Sequence, residues 1–337
     1  MNQHILILVN CFLFNMNYSV IIPAYNASKT IKECIKAIIP QLTNGDELII
    51  IDDGSTDNTK EIVKSFKVIK YIKINNSGPA IARNTGAKIA KNDIIIFIDS
   101  DCIAQKDWLK EMILPFKKKK ILGVQGAYKT NQESIIARFE QIDIEYRYIG
   151  LKTASNKGML DWIGSYSAAF KRREFLKLGG FDENFPIASG EDPEFSFRLA
   201  KIGKLIFNEK AIVYHTHPAT LKKYLRTKFF RAYFRPRMYS KNKNKIIKDS
   251  YTPQSLKAQI IFSNIIIITL ILFLIFQSQI TLMLFLLSII LFILSLSKFM
   301  FFAIRKNLVI GLAGIGIIFI RSLVFSVGLV WGKLNDK

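Results

Sequence analysis

An α/β domain built on a doubly wound sheet, followed by about three membrane-spanning helices, is the architecture the 337 residues predict. Three observations carry that expectation. Short β-branched runs alternate with helix-like segments over the first hundred residues. Acidic and glycine-containing turns close the runs. Nearly charge-free stretches of Ile, Leu and Phe fill the chain beyond Ile260.

Val20–Ile22, Leu48–Ile51, Val68–Ile74 and Ile94–Ile98 read as strands, each a short apolar run bounded by turn residues. Between them Ser28–Ile39, Asp57–Phe66 and Pro79–Ala90 have helical spacing, with Ser28 and Asp57 where N-caps belong and Pro79 suited to a first helical position. Strands apolar on both faces and joined by helices form a parallel sheet, whose ligands bind beyond the carboxyl ends of the strands. The stretch Ile121–His217 is less regular.

Charge divides the chain in the same place. Of 48 Lys and Arg, 18 lie from Ala219 onward against only Asp249 and Asp336, so this tail carries +16 of the net +22. The basic cluster Lys222–Lys248 abuts the apolar spans, which favours anionic lipid and the positive-inside rule over nucleic acid. Thr220–Tyr239 mixes aromatic with basic residues, as a helix lying on a membrane does; a solvated basic helix is the alternative. Spans are expected at about Ile260–Phe276, Ile280–Leu296 and Leu308–Trp331, with Lys298, Arg305 and Lys306 between the last two. That bias places the α/β domain in the cytoplasm. Arg321 within the third span needs a partner helix, and Gly311, Gly314, Gly316 and Gly328 permit close contact. The expected divisions are 1–17 (an extension, with Met16 an alternative start), 18–218 (the α/β domain), 219–258 (a basic amphipathic linker), 259–332 (membrane region) and 333–337 (tail). Ile5–Phe14 is apolar but too short to span a bilayer. Cys11, Cys34 and Cys102 have no metal-ligand spacing and suit a reducing compartment as small buried residues.

The chemistry-bearing residues sit at strand and helix ends. Asp52-Asp53-Gly54-Ser55 follows the second strand, where two carboxylates can hold the base and ribose of a nucleoside; an Asp-Gly turn looks the same. Asp99-Ser100-Asp101 follows the fourth. Its carboxylates can share one hard divalent ion, Mg2+ or Mn2+, that also ligates a diphosphate, or can serve as a simple cap. Gly78 to Gly86 opens a helix whose start favours anions, and Arg83 within it reaches a phosphate, a ribose or solvent. Gly190-Glu191-Asp192 begins a helix; a carboxylate there is a cap or, in a transferase, the general base for an acceptor hydroxyl, with Asp192 the better candidate. Either His215 or His217 can supply a further metal ligand, and His217 is the one assigned.

Taken in order, these motifs resemble those of the family 2 glycosyltransferases, which have the GT-A fold. The resemblance runs over about Tyr18–Pro218, through Val20-Ile21-Ile22-Pro23-Ala24-Tyr25-Asn26, Asp52-Asp53-Gly54-Ser55, Arg83-Asn84-Thr85-Gly86, Asp99-Ser100-Asp101, Gly179-Gly180-Phe181-Asp182-Glu183 and Gly190-Glu191-Asp192. It implies a nucleotide-diphospho-sugar donor, a divalent metal and an inverting mechanism. Pro23, Ala24, Tyr25, Asn26, Asp52, Asp53, Arg83, Asn84, Asp99 and Ser100 would then meet the donor, with Asp99 and Asp101 at the metal. Asp192 would be the base with Glu191 beside it, and Gly164, Ser165 and Arg198 would border the acceptor. Glu194 stands where a further Asp is frequent, and the absence of a Gln-x-x-Arg-Trp pattern argues against processive polymer synthesis. Members that build exopolysaccharide or lipid-linked glycans, with a few C-terminal spans after a basic linker, are most similar. Two rivals stand beside this reading. One is a polyprenyl-phosphate sugar synthase, whose ionised phosphate acceptor needs no base. The other is a non-catalytic membrane or nucleic-acid-binding protein whose acidic motifs are only turns.

Overall fold

A computed structural model describes residues 16–335. The expectations for Ile5–Phe14, for Cys11 and for an alternative start lie outside the described residues. The chain divides into two compact units, one comprising the residues up to Lys129 with Leu151–Thr216, the other Thr130–Gly150 with the chain from His217.

The first unit is built on one mixed sheet of eight strands in the order β3-β2-β1-β4-β7-β6-β8-β5. Strands β1 (Tyr18–Ala24), β2 (Glu47–Asp52), β3 (Ile69–Lys73) and β4 (Ile94–Ile98) pair in parallel and correspond to the four runs read from the sequence. Between them lie α1 (Ile31–Ile38), α2 (Thr59–Lys64) and α3 (Pro79–Ile89), the last with Pro79 in its first turn as expected. The anticipated caps act differently. Asp57 does not begin a helix; its carboxylate accepts from the backbone N–H groups of Ser28 and Thr59 and ties the two turns together. The rest of the sheet is β5 (Cys102–Ala104), β6 (Ile121–Lys129), β7 (Ser167–Lys171) and β8 (Lys204–His215), with β7 antiparallel to both β4 and β6. Helix α4 (Trp108–Ile113) precedes β6, and α5 (Ile135–Asn156) follows it. Helix α6 (Arg172–Lys177) follows β7, and α7 (Glu191–Leu199) precedes β8.

Alternation along the strands sorts the core into two faces. Val20, Ile22, Ile50, Ile96 and Ile98 pack with α1 and Trp108 on one side. On the other, Phe97, Phe170, Phe175, Phe181 and Phe195 form an aromatic cluster, with paired centroids from 4.7 to 6.3 Å apart. Phe195 belongs to α7, so this cluster fixes the helix whose first turn carries Glu191 and Asp192.

The second unit is helical. Residues 130–150, read from sequence as part of the α/β domain, cluster with the C-terminal helices instead, because Phe139 and Ile142 on α5 are buried with Phe292, Leu296, Phe299 and Ile318. Helices α8 (Leu221–Tyr233) and α9 (Arg235–Ser240) come before α10 (Gln254–Phe276), α11 (Gln279–Lys306) and α12 (Leu308–Leu334). The last three are long and apolar enough to cross a membrane. Lys298, Arg305 and Lys306, expected in a loop, lie in α11, and Asn307 alone joins it to α12, capping the Ile310 N–H with its side chain. Arg321 has the partners its placement requires: Asp143 on α5 at 3.1 Å and the Gln259 side-chain oxygen at 2.8 Å. Gly328 and Gly332 lie directly against α8, whereas Gly316 has open space beside it.

Candidate active site

The carboxyl ends of β1, β2 and β4 open onto a cleft of about 580 Å3, within the size range of small-ligand sites. Strands β2 and β4 flank β1 on opposite sides, so the connections diverge here, which is where open α/β sheets bind ligands. Pro23, Ala24, Tyr25, Asn26, Asp53, Arg83, Asp99, Ser100 and Asp101 all line the cleft. The tyrosine is 51% exposed and offers a flat aromatic face at the rim.

Backbone geometry explains why these residue types stand here. Asn26 takes a positive φ of 48°, a conformation that Asn tolerates better than bulkier residues, and its side-chain oxygen accepts from the Thr56 N–H. Asp53 accepts from the N–H groups of Ser77 and Gly78 at 2.7 and 2.9 Å, clamping the turn that leads into α3. Gly78 there has φ of 96°, and a Cβ would stand 3.0 Å from the Pro186 carbonyl oxygen. The loop 186–188 forms the facing wall, a contribution that no periodicity in the sequence announces.

Two residues expected at the donor are structural. Asp52 is fully buried, accepting from the Ser55 N–H and the Tyr71 hydroxyl. Asn84 is buried away from the cleft, exchanging hydrogen bonds with both backbone groups of Phe181 and donating to Glu183.

At the centre lies Arg83, 2% exposed. It donates to Asp99 at 2.7 Å and to Glu191 at 3.3 Å, joining α3, the end of β4 and the start of α7. Three carboxylates, those of Asp99, Glu191 and Asp192, act on its charge and hold it firmly protonated against the cost of burial. Glu191 is 1% exposed. Burial and the neighbouring Asp192 push its carboxyl up to about 8, while Arg83 pulls the other way. Asp192 is less buried and accepts from the Ser165 N–H at 3.2 Å. That bond sets the 164–165 loop beside Asp192, and Gly164 donates to the Gln125 side-chain oxygen. Arg198 does not reach that place. It pairs with Glu194 and donates to the carbonyls of Leu178 and Gly180, bracing α7.

The histidine at the acidic turn is His215. Antiparallel pairing of β5 with β8 sets Cys102 opposite His215 and brings its Nε2 within 3.3 Å of an Asp101 carboxylate oxygen. Burial opposes ionisation of Asp101, but the hydrogen bond and charge of His215 outweigh it and hold the carboxyl below its usual range. The assigned residue, His217, belongs to the second unit, where its Nε2 lies 2.9 Å from the Gln141 side-chain oxygen and its N–H donates to Gln132. Tyr128, stacked on Tyr166 and packed against the His215 ring, is a neighbour the sequence did not single out. Among the described residues no three His, Cys, Asp or Glu side chains converge as a complete metal cage.

A mixed sheet with an acidic strand end beside a nucleotide-sized cleft defines the class: a GT-A-type α/β domain. Residues 19–179 match the model of Glycosyl transferase family 2, and the chain carries a family 2 glycosyltransferase domain. Glycosyltransferase GlyG of Streptococcus pneumoniae is 35% identical over 34% of this chain and 40% of its own length. The chondroitin synthase of Escherichia coli is 27% identical over 59% of this chain and 34% of its own. An uncharacterized glycosyltransferase of Rickettsia conorii is 48% identical over 34% and 20%. The chain thus spans well under half the length of these curated relatives. A solved mannosyltransferase from Pyrobaculum calidifontis, in complex with GDP-Man and Mn2+, has the same fold. Its TM-score is 0.62 at 17% identity, covering 94% of this chain and 88% of that one.

Proposed function

We propose that the chain transfers a sugar, with inversion, from a nucleotide-diphospho-sugar to a hydroxyl of a lipid-linked or polysaccharide glycan at the cytoplasmic face of a membrane. The observation that carries this reading is the Arg83 junction: Arg83 and Asp99 line the donor-sized cleft, and Arg83 also donates to Glu191, which lies far off in sequence at the start of α7 and behind that lining.

Tyr25 and Asn26 at the rim suit the nucleoside, and the Asp53-clamped turn shapes that wall. Asp99 and Asp101 fit a divalent cation, Mg2+ or Mn2+. Such an ion can be held by one or two carboxylates, with substrate phosphates and water completing its shell. The nitrogen of His215 beside Asp101 is compatible with Mn2+ as well. When bound, the cation offsets charge on the departing diphosphate.

Asp192, oriented by the Ser165 N–H, would take the proton of the acceptor hydroxyl. The freed oxygen attacks the anomeric carbon from the face opposite the leaving group, so a single displacement inverts that carbon. Glu191 and Arg83 fix the first turn of α7, and with it Asp192. The basic segment preceding α10, with Lys298, Arg305 and Lys306 at the other end of that hairpin, supports a cytoplasmic α/β unit.

Asp192→Asn keeps an oxygen for the Ser165 N–H while removing the base. It should lower turnover by about 10^2- to 10^4-fold with donor binding unchanged. Turnover is measured over a panel of UDP- and GDP-sugars in membranes, the product anomer is assigned by NMR, and donor binding is titrated on purified protein. Normal turnover, or a product that retains the donor's anomeric configuration, would overturn the assignment. Sugar transfer to polyprenyl phosphate alone would favour the phosphate-acceptor rival.

A further inference from the structure

The second unit holds a cavity that the transfer chemistry does not use. It has about 50 Å3 of internal room, several times what one water needs. Its polar wall is strongly cationic: Arg147, Lys228, Arg231, Arg235 and Arg321 line it, against the single carboxylate of Asp143. That carboxylate is engaged by Arg321 at 3.1 Å. The nearby Glu140 is engaged by Lys228 at 2.9 Å and approached by Arg231 at 3.9 Å. Basic side chains therefore outnumber carboxylates along this wall.

A buried guanidinium with an open donor is costly, and two stand here. Arg235 and Arg321 are 7% and 5% exposed, yet the Nε of each has no hydrogen-bond partner among the described residues. Arg235 donates to the Thr252 hydroxyl rather than to a carboxylate, and its guanidinium lies over the rings of Tyr251 and Phe325 at 4.7 and 5.1 Å. An oxyanion of several acceptor oxygens suits this cationic wall and answers the open N–H groups, since guanidinium geometry fits phosphate. Apolar side chains of the three long helices line it as well, with Leu256 on α10, Phe299 on α11 and Ile318 and Phe325 on α12, beside the polar Ser255 and Gln259. A free phosphate has no use for that wall; an acyl or prenyl chain does.

We propose that this cavity binds the phosphate headgroup of an anionic membrane lipid, with the hydrocarbon chains against the apolar wall. The site requires no sugar transfer, so its test stands apart from that of the reaction.

The full chain, purified in a neutral detergent, is titrated with dioctanoyl phosphatidic acid while its thermal unfolding is followed. Dioctanoyl phosphatidylcholine and inorganic phosphate serve as separate arms. Saturable stabilisation by phosphatidic acid is expected, with a midpoint at least about tenfold weaker in Arg235→Gln, since a hydrogen bond to a charged group is lost. Lys243→Gln and Lys248→Gln, exposed basic positions outside the cavity, should leave the midpoint unchanged. Should Arg235→Gln fail to fold, Arg147→Gln is measured in the same way against the same expectation. An unchanged midpoint in the cavity variant overturns the proposal, as does equal weakening by the exposed-lysine variants. Inorganic phosphate acting as well as the lipid would make this a free-anion site. Phosphatidylcholine acting as well would make it an apolar groove only.

Discussion

Substituting Glu191 by Gln should flatten the pH dependence of stability in the α/β unit. The carboxyl is 1% exposed, with one oxygen 3.3 Å from Arg83 and the other accepting from the Ser189 N–H at 2.7 Å. Burial and Asp192 raise it from an ordinary 4.5 to about 8. A folded-state value above the unfolded one means the fold prefers the protonated form. Stability from this group is therefore complete below about 4.5, declines as pH rises, and is lost above about 8. At about 1.4 kcal/mol per pK unit, the whole window is worth on the order of 5 kcal/mol as a ceiling. Gln is isosteric, still accepts from Ser189 and has no proton to lose in this range. Thermal unfolding of the full chain, followed by tryptophan fluorescence at pH 5.5, 7 and 8.5, reads the difference. Wild type should lose several degrees between pH 5.5 and 8.5, at roughly 2–4 °C per kcal/mol for a unit of this size, while Glu191→Gln loses markedly less. Parallel curves for the two proteins would refute the reasoning, because Glu191 would then be ionised throughout as an ordinary partner of Arg83.

Where Asp101 helps to hold the cation, His215→Gln should raise the Mn2+ concentration for half-maximal transfer by about 10- to 100-fold, the usual cost of losing a group that orients a ligand; an unchanged metal titration argues against that link. Arg321→Met strands Asp143 and should cost about 3–5 kcal/mol, with Arg321→Met/Asp143→Asn recovering much of it, as read by thermal unfolding in detergent. Gly328→Leu should destabilise by about 1–3 kcal/mol, because even its Cβ would stand 2.7 Å from the Phe229 carbonyl oxygen, while Gly316→Leu, with open space beside it, should be neutral in the same assay.

Much of the first unit could be read in advance because its signals are local. A β-branched run ending in Asp identifies a buried strand and places its carboxylate at the end of that strand, and β2 and β4 obey that logic. What escaped depended on partners. Asp52 and Asn84 stand within the right motifs, but only the fold shows that Tyr71 and Phe181 engage them. His215 and His217 are two apart, which in a continuing strand would face them alike. The chain leaves the sheet after His215, so the period ends there and the two rings part. Likewise residues 135–150 fall in the stretch whose pattern is less regular, and nothing local says which core they enter; Phe139 joins the C-terminal helices.

The clamp that Asp53 places on the Ser77–Gly78 turn has a thermodynamic consequence for the proposed donor. That side of the cleft is fastened by the protein's own bonds, so a nucleotide meeting it freezes no additional backbone there. Discrimination between bases should consequently resemble fitting a rigid mould, with differences between nucleotides expressed in contact enthalpy more than in loop entropy.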